Sequence, residues 1–218
     1  MNELFDGIYF DEKSVYTKNM LVGKKVYGEK IVKEKGIEYR EWDPYRSKYC
    51  AAIKKGLKES IFYKKATVIY LGSAEGTTVS HVSDIVGKDG AIFCVDISEI
   101  AMQKLSKLAE ERENLYPILS DAQLVENYEE YFTQKADCLF QDVSQRNQAD
   151  IFVRNSKLLK KGGLGALSLK TKSISQSEKK ETVLENEIKI LEKEFNILQI
   201  VCIEPYEKEH YLIIGKKK

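Results

Sequence analysis

The chain has 218 residues, 43% of them hydrophobic, which is enough for one large domain or one domain with a small appendage. Its 35 lysines and arginines face 34 acidic residues, leaving a formal net charge of +1. That balance excludes a strongly basic, self-sufficient nucleic-acid binder: if RNA is the substrate, a local patch or a partner must do most of the holding.

Residues 1–42 read as a small N-terminal β domain. The short alternating or aromatic runs Ile8–Phe10, Ser14–Thr17, Val26-Tyr27 and Ile37–Trp42 predict an antiparallel sheet too small to stand alone, so it packs on the remainder. The charged string Lys30 to Lys35 reads as a solvated turn. Asp43-Pro44 predicts a helix start, with Asp43 as N-cap, and the helix runs to about Leu57. Over 43–218 strand and helix patterns then alternate. Strands are expected near 67–71, 91–96, 116–119, 137–142 and 164–170, and helices near 78–86, 98–112, 146–160 and 177–195. The last helix rests on Leu184, Ile188, Leu191 and Phe195 at spacings of four and three. Two strands near 197–204 and 210–215 close the chain as an antiparallel pair across Pro205–Glu209. The predicted fold class is α/β: a doubly wound, Rossmann-like sheet ending in an antiparallel strand pair, with the small N-terminal antiparallel β region. Cys50, Cys94, Cys138 and Cys202 have no CxxC spacing and are expected as buried, reduced thiols; no metal site is expected. No signal peptide or membrane-spanning apolar run is seen, so the expectation is a soluble, cytoplasmic protein.

The stretch Thr67–Thr78 organises the rest. A β-branched and aromatic strand runs into a turn of small residues, Gly72-Ser73-Ala74-Glu75-Gly76, and Thr77 is placed to cap the next helix. Gly72-x-Ala74-x-Gly76 departs from the dinucleotide pattern Gly-x-Gly-x-x-Gly. The departure argues for the amino-acid end of S-adenosylmethionine, which needs a close backbone but no anion cradle. Many strand-to-helix turns are glycine-rich, so the turn alone leaves a site undecided. Side chains at successive strand ends add to it. Asp96 closes the second strand, about twenty residues after the turn, where a carboxylate accepts ribose hydroxyls. Ser120-Asp121-Ala122 follows the third strand, Asp142-Val143-Ser144-Gln145 the fourth, and Lys170 the fifth. Ile97 would cover one adenine face without stacking on it. His210 opens the last strand. His81, on a helix that packs on the sheet, reads as structural.

Asp43-Pro-Tyr-Arg-Ser-Lys48, the string from Tyr70 to Gly87, Asp142-Val-Ser-Gln145 and Glu204-Pro-Tyr-Glu-Lys-Glu-His210 together resemble the fibrillarin family, from about Val26 to the C-terminus. The resemblance implies an S-adenosylmethionine-dependent 2′-O-methyltransferase, the catalytic subunit of a box C/D guide ribonucleoprotein acting on rRNA and tRNA. The implied partners are guide RNA and substrate RNA, a Nop-domain scaffold protein and a small RNA-binding protein, with no membrane. Implied cofactor contacts fall on Gly72, Ala74, Gly76, Thr77, Thr78, Asp96, Ile97, Asp121, Ala122 and Asp142 through Gln145. The implied catalytic set is Lys48, Asp142, Lys170 and His210. Asp96-Ile97 stands where the family commonly has Glu and an aromatic, and Gln123 where it has Arg or Asn. The Arg-Gly-rich tail of eukaryotic members is not in the sequence, which makes the expectation an archaeal-type member.

Such a transfer is an in-line attack of a ribose 2′ oxygen on a sulfonium methyl, helped by placing the two in a dry pocket. Lys170 is the candidate base if burial and Lys48 lower its pKa; otherwise it stays charged and positions the oxygen. Asp142 would orient Lys170 and the methyl donor, and His210 would hold the hydroxyl or a phosphate. Two other readings stand beside this one: a methyltransferase acting on protein, for example a glutamine side chain, or on a small molecule, and a non-catalytic cofactor-binding subunit.

Overall fold

A computed structural model describes all residues, 1–218. The N-terminal sheet has five antiparallel strands: β1 (Asn2–Phe5), β2 (Ile8–Phe10), β3 (Val15–Lys18), β4 (Ile31–Glu34) and β5 (Ile37–Trp42), in the order β1-β2-β3-β5-β4. The charged string expected as a turn is therefore a strand. β4 is an edge strand that alternates toward solvent, and Lys35 (φ +50°) and Gly36 (φ +79°) make the tight primed turn that joins it to β5. Val26 and Tyr27, expected in a strand, lie in a turn instead. The Glu29 carboxylate captures both of their amides, at 3.0 and 2.9 Å, so no ladder forms there.

The helix after this sheet is short. The Asp43 side chain accepts the Tyr45 amide (2.8 Å) and its carbonyl the Arg46 amide (3.1 Å), which spends Asp43 on a turn. Ser47 is the N-cap, and α1 runs Lys48–Lys54 rather than from Pro44 to Leu57. The consequence is that Lys48 is the first helical residue.

The main sheet follows as β6 (Thr67–Leu71), α2 (Thr77–Val86), β7 (Ala91–Asp96), α3 (Glu99–Glu111), β8 (Leu115–Leu119), β9 (Ala136–Gln141), α4 (Gln148–Asn155), β10 (Leu159–Lys170), α5 (Thr171–Ile174), α6 (Lys180–Leu191), β11 (Phe195–Cys202) and β12 (His210–Lys217). The strand order is β11-β12-β10-β9-β6-β7-β8, with β12 antiparallel to both of its neighbours. The doubly wound expectation, with its closing antiparallel pair, describes this sheet. Element ends differ. The expected helix 146–160 stops at Asn155, because β10 begins at Leu159, opposite Ala136, and bulges through Gly162-Gly163 before pairing regularly from Leu164. Phe195 opens β11 instead of closing α6, whose buried face is Val183, Glu187 and Leu191. The buried Glu187 carboxylate caps the next layer by accepting the Ala149 amide at 3.0 Å.

One core of 30 buried residues lies on the face covered by α1 and α2, and it includes Ile8, Val15 and Trp42 from the N-terminal sheet. A second, of 19 residues, lies under α4 and α6. The N-terminal sheet thus shares its apolar core with the main sheet. Trp42 is fully buried between the rings of His81 (centroids 4.9 Å apart) and Tyr49 (5.9 Å). All four cysteines are free thiols; three are buried and Cys202, on edge strand β11, is exposed, contrary to expectation. No helix is long and apolar enough to cross a membrane.

Candidate active site

Crossovers leave β6 toward β7 on one side, and the chain returns to β9 on the other. A crevice therefore opens beyond the carboxyl ends of these strands. A cavity of about 420 Å³ fills it. Its wall is Gly72 and Ala74 from the turn, Val95, Asp96 and Ile97 after β7, Ser120 and Ala122 after β8, and Asp142, Val143, Ser144 and Gln145 after β9.

Gly72 sits at φ +78°, and a Cβ there would stand 2.2 Å from the Asp142 carbonyl oxygen. Only glycine lets the two strand ends close on one another. The Gly72 amide bonds the Val95 carbonyl and the Asp142 amide the Leu71 carbonyl, both at 2.8 Å, so three strand ends form one rigid floor. Asp96 accepts the Ala74 amide (2.8 Å) and the Ser98 amide (2.9 Å), which aims its carboxylate across the turn. The Ser120 hydroxyl oxygen is buried at the cavity and has no partner within the protein. Ile97 lines the cavity while 64% exposed.

Four residues named from the sequence stand off this wall. Gly76 (φ +94°) is itself the N-cap of α2, so Thr77 is the first helical residue and not a cap; a Cβ on Gly76 would meet Leu105 and Leu108 at 2.8 Å. Thr78 donates to Ser47, the N-cap of α1, at 3.0 Å. Asp121 folds its carboxylate onto the amide of Gln123 (2.9 Å), closing its own turn.

Next to the cavity, Lys48 Nζ donates to Asp142 Oδ2 at 2.8 Å, with 28% and 24% of the two side chains exposed. The carboxylate is thus engaged by Lys48, whereas Lys170, which Asp142 was expected to orient, makes no ion pair. Lys170 and His210 are direct partners in the β10–β12 register, so their side chains share one face. With Lys172 and the 205–209 loop they line a second cavity of about 400 Å³. His210 is buried, and its Nδ1 lies 2.8 Å from the Lys208 carbonyl. A carbonyl only accepts, so Nδ1 carries the proton and Nε2 is left as an acceptor. Burial pushes this imidazole below its ordinary value; the Lys208 carbonyl opposes the shift and the Lys48 charge adds to it.

Sequence reasoning missed Ser47, Tyr70 and the role of Ser120. Ser47 joins α1 to α2 and so sets Lys48. Burial drives the Tyr70 phenol well above its ordinary value, and the nearby Asp142 charge adds to that. A serine just before an acid at a strand end was the available signal for Ser120.

A doubly wound sheet closed by an antiparallel pair, with a ligand crevice at the β6 switch point and an N-terminal β region, defines a Rossmann-like methyltransferase fold. The fibrillarin family profile matches residues 1–218. A fibrillarin-like rRNA/tRNA 2′-O-methyltransferase of Thermococcus sibiricus is 46% identical over 219 residues, spanning 98% of this chain and 96% of that protein. Aeropyrum pernix fibrillarin, solved with natively bound S-adenosyl-L-methionine, superposes with a TM-score of 0.86 at 39% identity, covering 93% of this chain and 88% of that one. The fibrillarin of a fibrillarin/Nop5p complex superposes with a TM-score of 0.90 at 34% identity, over 100% of both chains. The chain belongs to the fibrillarin family.

Proposed function

We propose that this chain is an S-adenosylmethionine-dependent RNA 2′-O-methyltransferase, the catalytic subunit of a box C/D guide ribonucleoprotein acting on rRNA and tRNA. The observation that carries the reading is a link between the two cavities: the Asp142 carboxylate belongs to the switch-point wall and is ion-paired to Lys48, and the charges of both reach His210, which lines the second cavity with Lys170. The residues present fit the cofactor. The absent Cβ of Gly72 leaves the floor closed, Asp96 and Ala74 are set for ribose and amino-acid ends, and Ser120, whose buried hydroxyl has no partner, lies on the same wall. Ala122 and Asp142 through Gln145 would complete the cradle, with Gly76, Thr77, Thr78 and Asp121 supporting it from behind. When bound, S-adenosylmethionine supplies an electrophilic methyl on a sulfonium.

The chain's own residues then have the task of placing a ribose 2′ oxygen and removing its proton. Lys48 neutralises and anchors Asp142, which fixes the carboxylate edge nearest the crevice. His210, held neutral with Nε2 as acceptor, can receive the hydroxyl hydrogen bond and aim the oxygen lone pair. Lys170, with no carboxylate partner, stabilises the developing alkoxide if charged, the proton then passing along the hydrogen bond to His210 Nε2; if neutral, its amine accepts the hydroxyl's one proton in place of His210.

A Nop-domain scaffold is the proposed protein partner, as the Nop5p complex of a relative supports. Guide RNA and a small RNA-binding protein complete the assembly, in keeping with a net charge of only +1. Residues 1–42 are proposed as an accessory β unit on a 43–218 methyltransferase domain.

The test is single-turnover methylation of guided RNA by the assembled complex, comparing the parent with Lys170→Ala and Lys170→Arg across pH. Lys170→Ala should slow transfer by about 10²-fold, the scale of a positioned proton acceptor. Lys170→Arg keeps charge but cannot deprotonate, so its activity separates the two roles. Methyl transfer to protein and none to guided RNA would overturn the reading.

A further inference from the structure

Both motifs that bring Lys48 and His210 to the site also contain a Pro-Tyr pair, Pro44-Tyr45 and Pro205-Tyr206, which the chemistry above does not use. The fold brings the two tyrosines together, with ring centroids 5.1 Å apart and planes at 69°. Tyr206 is half-buried against the main core and lines the same cavity as Lys170 and His210. Tyr45 is 70% exposed, yet its turn is pinned by Asp43, which accepts the Tyr45 amide at 2.8 Å. A large ring is thus held out into solvent at the rim of the catalytic cleft, propped on one side only. Beside it, Arg46 lies over the Tyr27 ring at 5.6 Å and makes no ion pair, and Lys208 on the facing loop also makes none. Two acids flanking the loop are already engaged, Glu209 with Lys172 at 3.2 Å and Glu204 with Lys180 at 3.6 Å; Glu207 lies 3.9 Å from the neutral His210 ring and has no cationic partner.

We propose that Tyr45 and Tyr206 form an aromatic ridge that packs into the minor groove of the guide–substrate RNA duplex next to the target ribose, with Arg46 and Lys208 on the flanking phosphates. The inference rests on the RNA 2′-O-methyltransferase reading. A substrate paired to a guide is an A-form helix, whose 2′-hydroxyls are displayed in its wide, shallow minor groove. Whatever rims the catalytic cleft must enter that groove together with Lys48 and His210. A tyrosine suits the position: its ring covers ribose C–H surface and its hydroxyl can bond a neighbouring 2′-hydroxyl. Tyr45 is therefore a substrate-positioning residue, and the two free cations set the register along the backbone.

The test uses the assembled complex with a guided substrate. Tyr45→Ala should raise the substrate concentration for half-saturation by roughly tenfold, the scale of losing one aromatic contact to RNA. Its rate at saturation and its S-adenosylmethionine affinity by calorimetry should match the parent, and Tyr45→Phe should recover most of the loss. Arg46→Ala should reduce the slope of log affinity against log salt by about one, whereas Tyr45→Ala should leave the slope unchanged. Parental half-saturation for Tyr45→Ala overturns the ridge. So does a defect traced to failed assembly with the Nop-domain protein, which would make Tyr45 a protein contact. A parent that methylates no guided RNA defeats the functional reading itself; an active parent indifferent to Tyr45 defeats the ridge alone.

Discussion

Two clusters in this molecule are built from the same residue types and behave as opposites. Under the N-terminal sheet, Asp84 accepts Arg40 and Arg112 at 2.8 Å each, Thr17 at 2.9 Å and the Met20 amide at 3.1 Å, with every charged side chain in it sealed from solvent. Glu29 closes the other side of Arg40 at 2.5 Å, and His81 has Thr17 on one ring nitrogen and Tyr27 on the other, both at 2.7 Å. At the strand ends, Asp142 has one cationic partner, and His210 and Lys170 keep free positions on an open cleft. An Asp, a His and two cations are common to both. What differs is spare valence. The first cluster has filled the acceptor positions of Asp84 and both ring nitrogens of His81, and the Arg112 Nε and Nη2 donors that it leaves without a partner are sealed from solvent, so no free position is open to a ligand, while the second holds its groups in place and leaves their outer faces unspent.

The largest effect should come from opening the closed cluster. Asp84→Ala would leave Arg40 and Arg112 buried without a counter-charge, at a cost of about 3–5 kcal/mol in unfolding free energy. Urea unfolding followed by circular dichroism measures it. Because Asp84 on α2 receives groups from β3 and β5, the N-terminal sheet should loosen first, and protease cutting within residues 1–42 should accelerate. A variant as stable as the parent would mean that the shared apolar core alone docks the sheet.

The matching change in the open cluster is Asp142→Asn. Its pair with Lys48 is partly exposed, so the stability cost should stay within about 1 kcal/mol. Methyl transfer, read in single turnover, should instead fall by about two orders of magnitude. A large loss of stability with activity retained would reverse the assignment of the two clusters.

The two clusters also differed in how legible they were. The strand-end acids, Lys170 and His210 could be placed because each follows or opens an apolar run whose period is local, and the doubly wound order follows from alternating runs. The Arg40–Asp84–Arg112 network has no local signal: its members sit on β5, α2 and after α3, and only the packed fold brings them together. Only the structural role of His81 could be read, from its helix. The misplaced ends have local causes too. Asp43 was read as a helix cap, but its side chain closed a turn, and Ser47, with the Thr78 hydroxyl on it, took the capping role. β4 was hidden because an edge strand with one wet face looks like a charged loop. Thr77 was read as a cap because the packing of Gly76 against α3, which lets a glycine begin the helix, is invisible in the string of letters.

The weakest contrast lies in the two histidines and shows only with pH. Burial holds the His81 imidazole well below its ordinary value of 6.5, with Arg40 and Arg112 adding to the shift. His210 is lowered less far, again by burial first. An imidazole kept neutral in the fold binds its proton more readily once the chain unfolds. Below about pH 6.5 the unfolded state therefore takes up more protons, and stability falls as pH drops toward the folded values; above that pH both states are neutral and the contribution is fully present. Between about pH 6.5 and 5, above the carboxylate range, urea midpoints of the parent should decline. His81→Gln should flatten most of that decline, although it lowers stability at every pH by disturbing Thr17, Tyr27 and the Trp42 stack. His210→Gln should leave the decline nearly as it was and should remove instead the acid limb of the methylation rate, because protonation takes away its Nε2 acceptor. An acid decline that follows His210 and ignores His81 would put the closed cluster at the wrong end of the molecule.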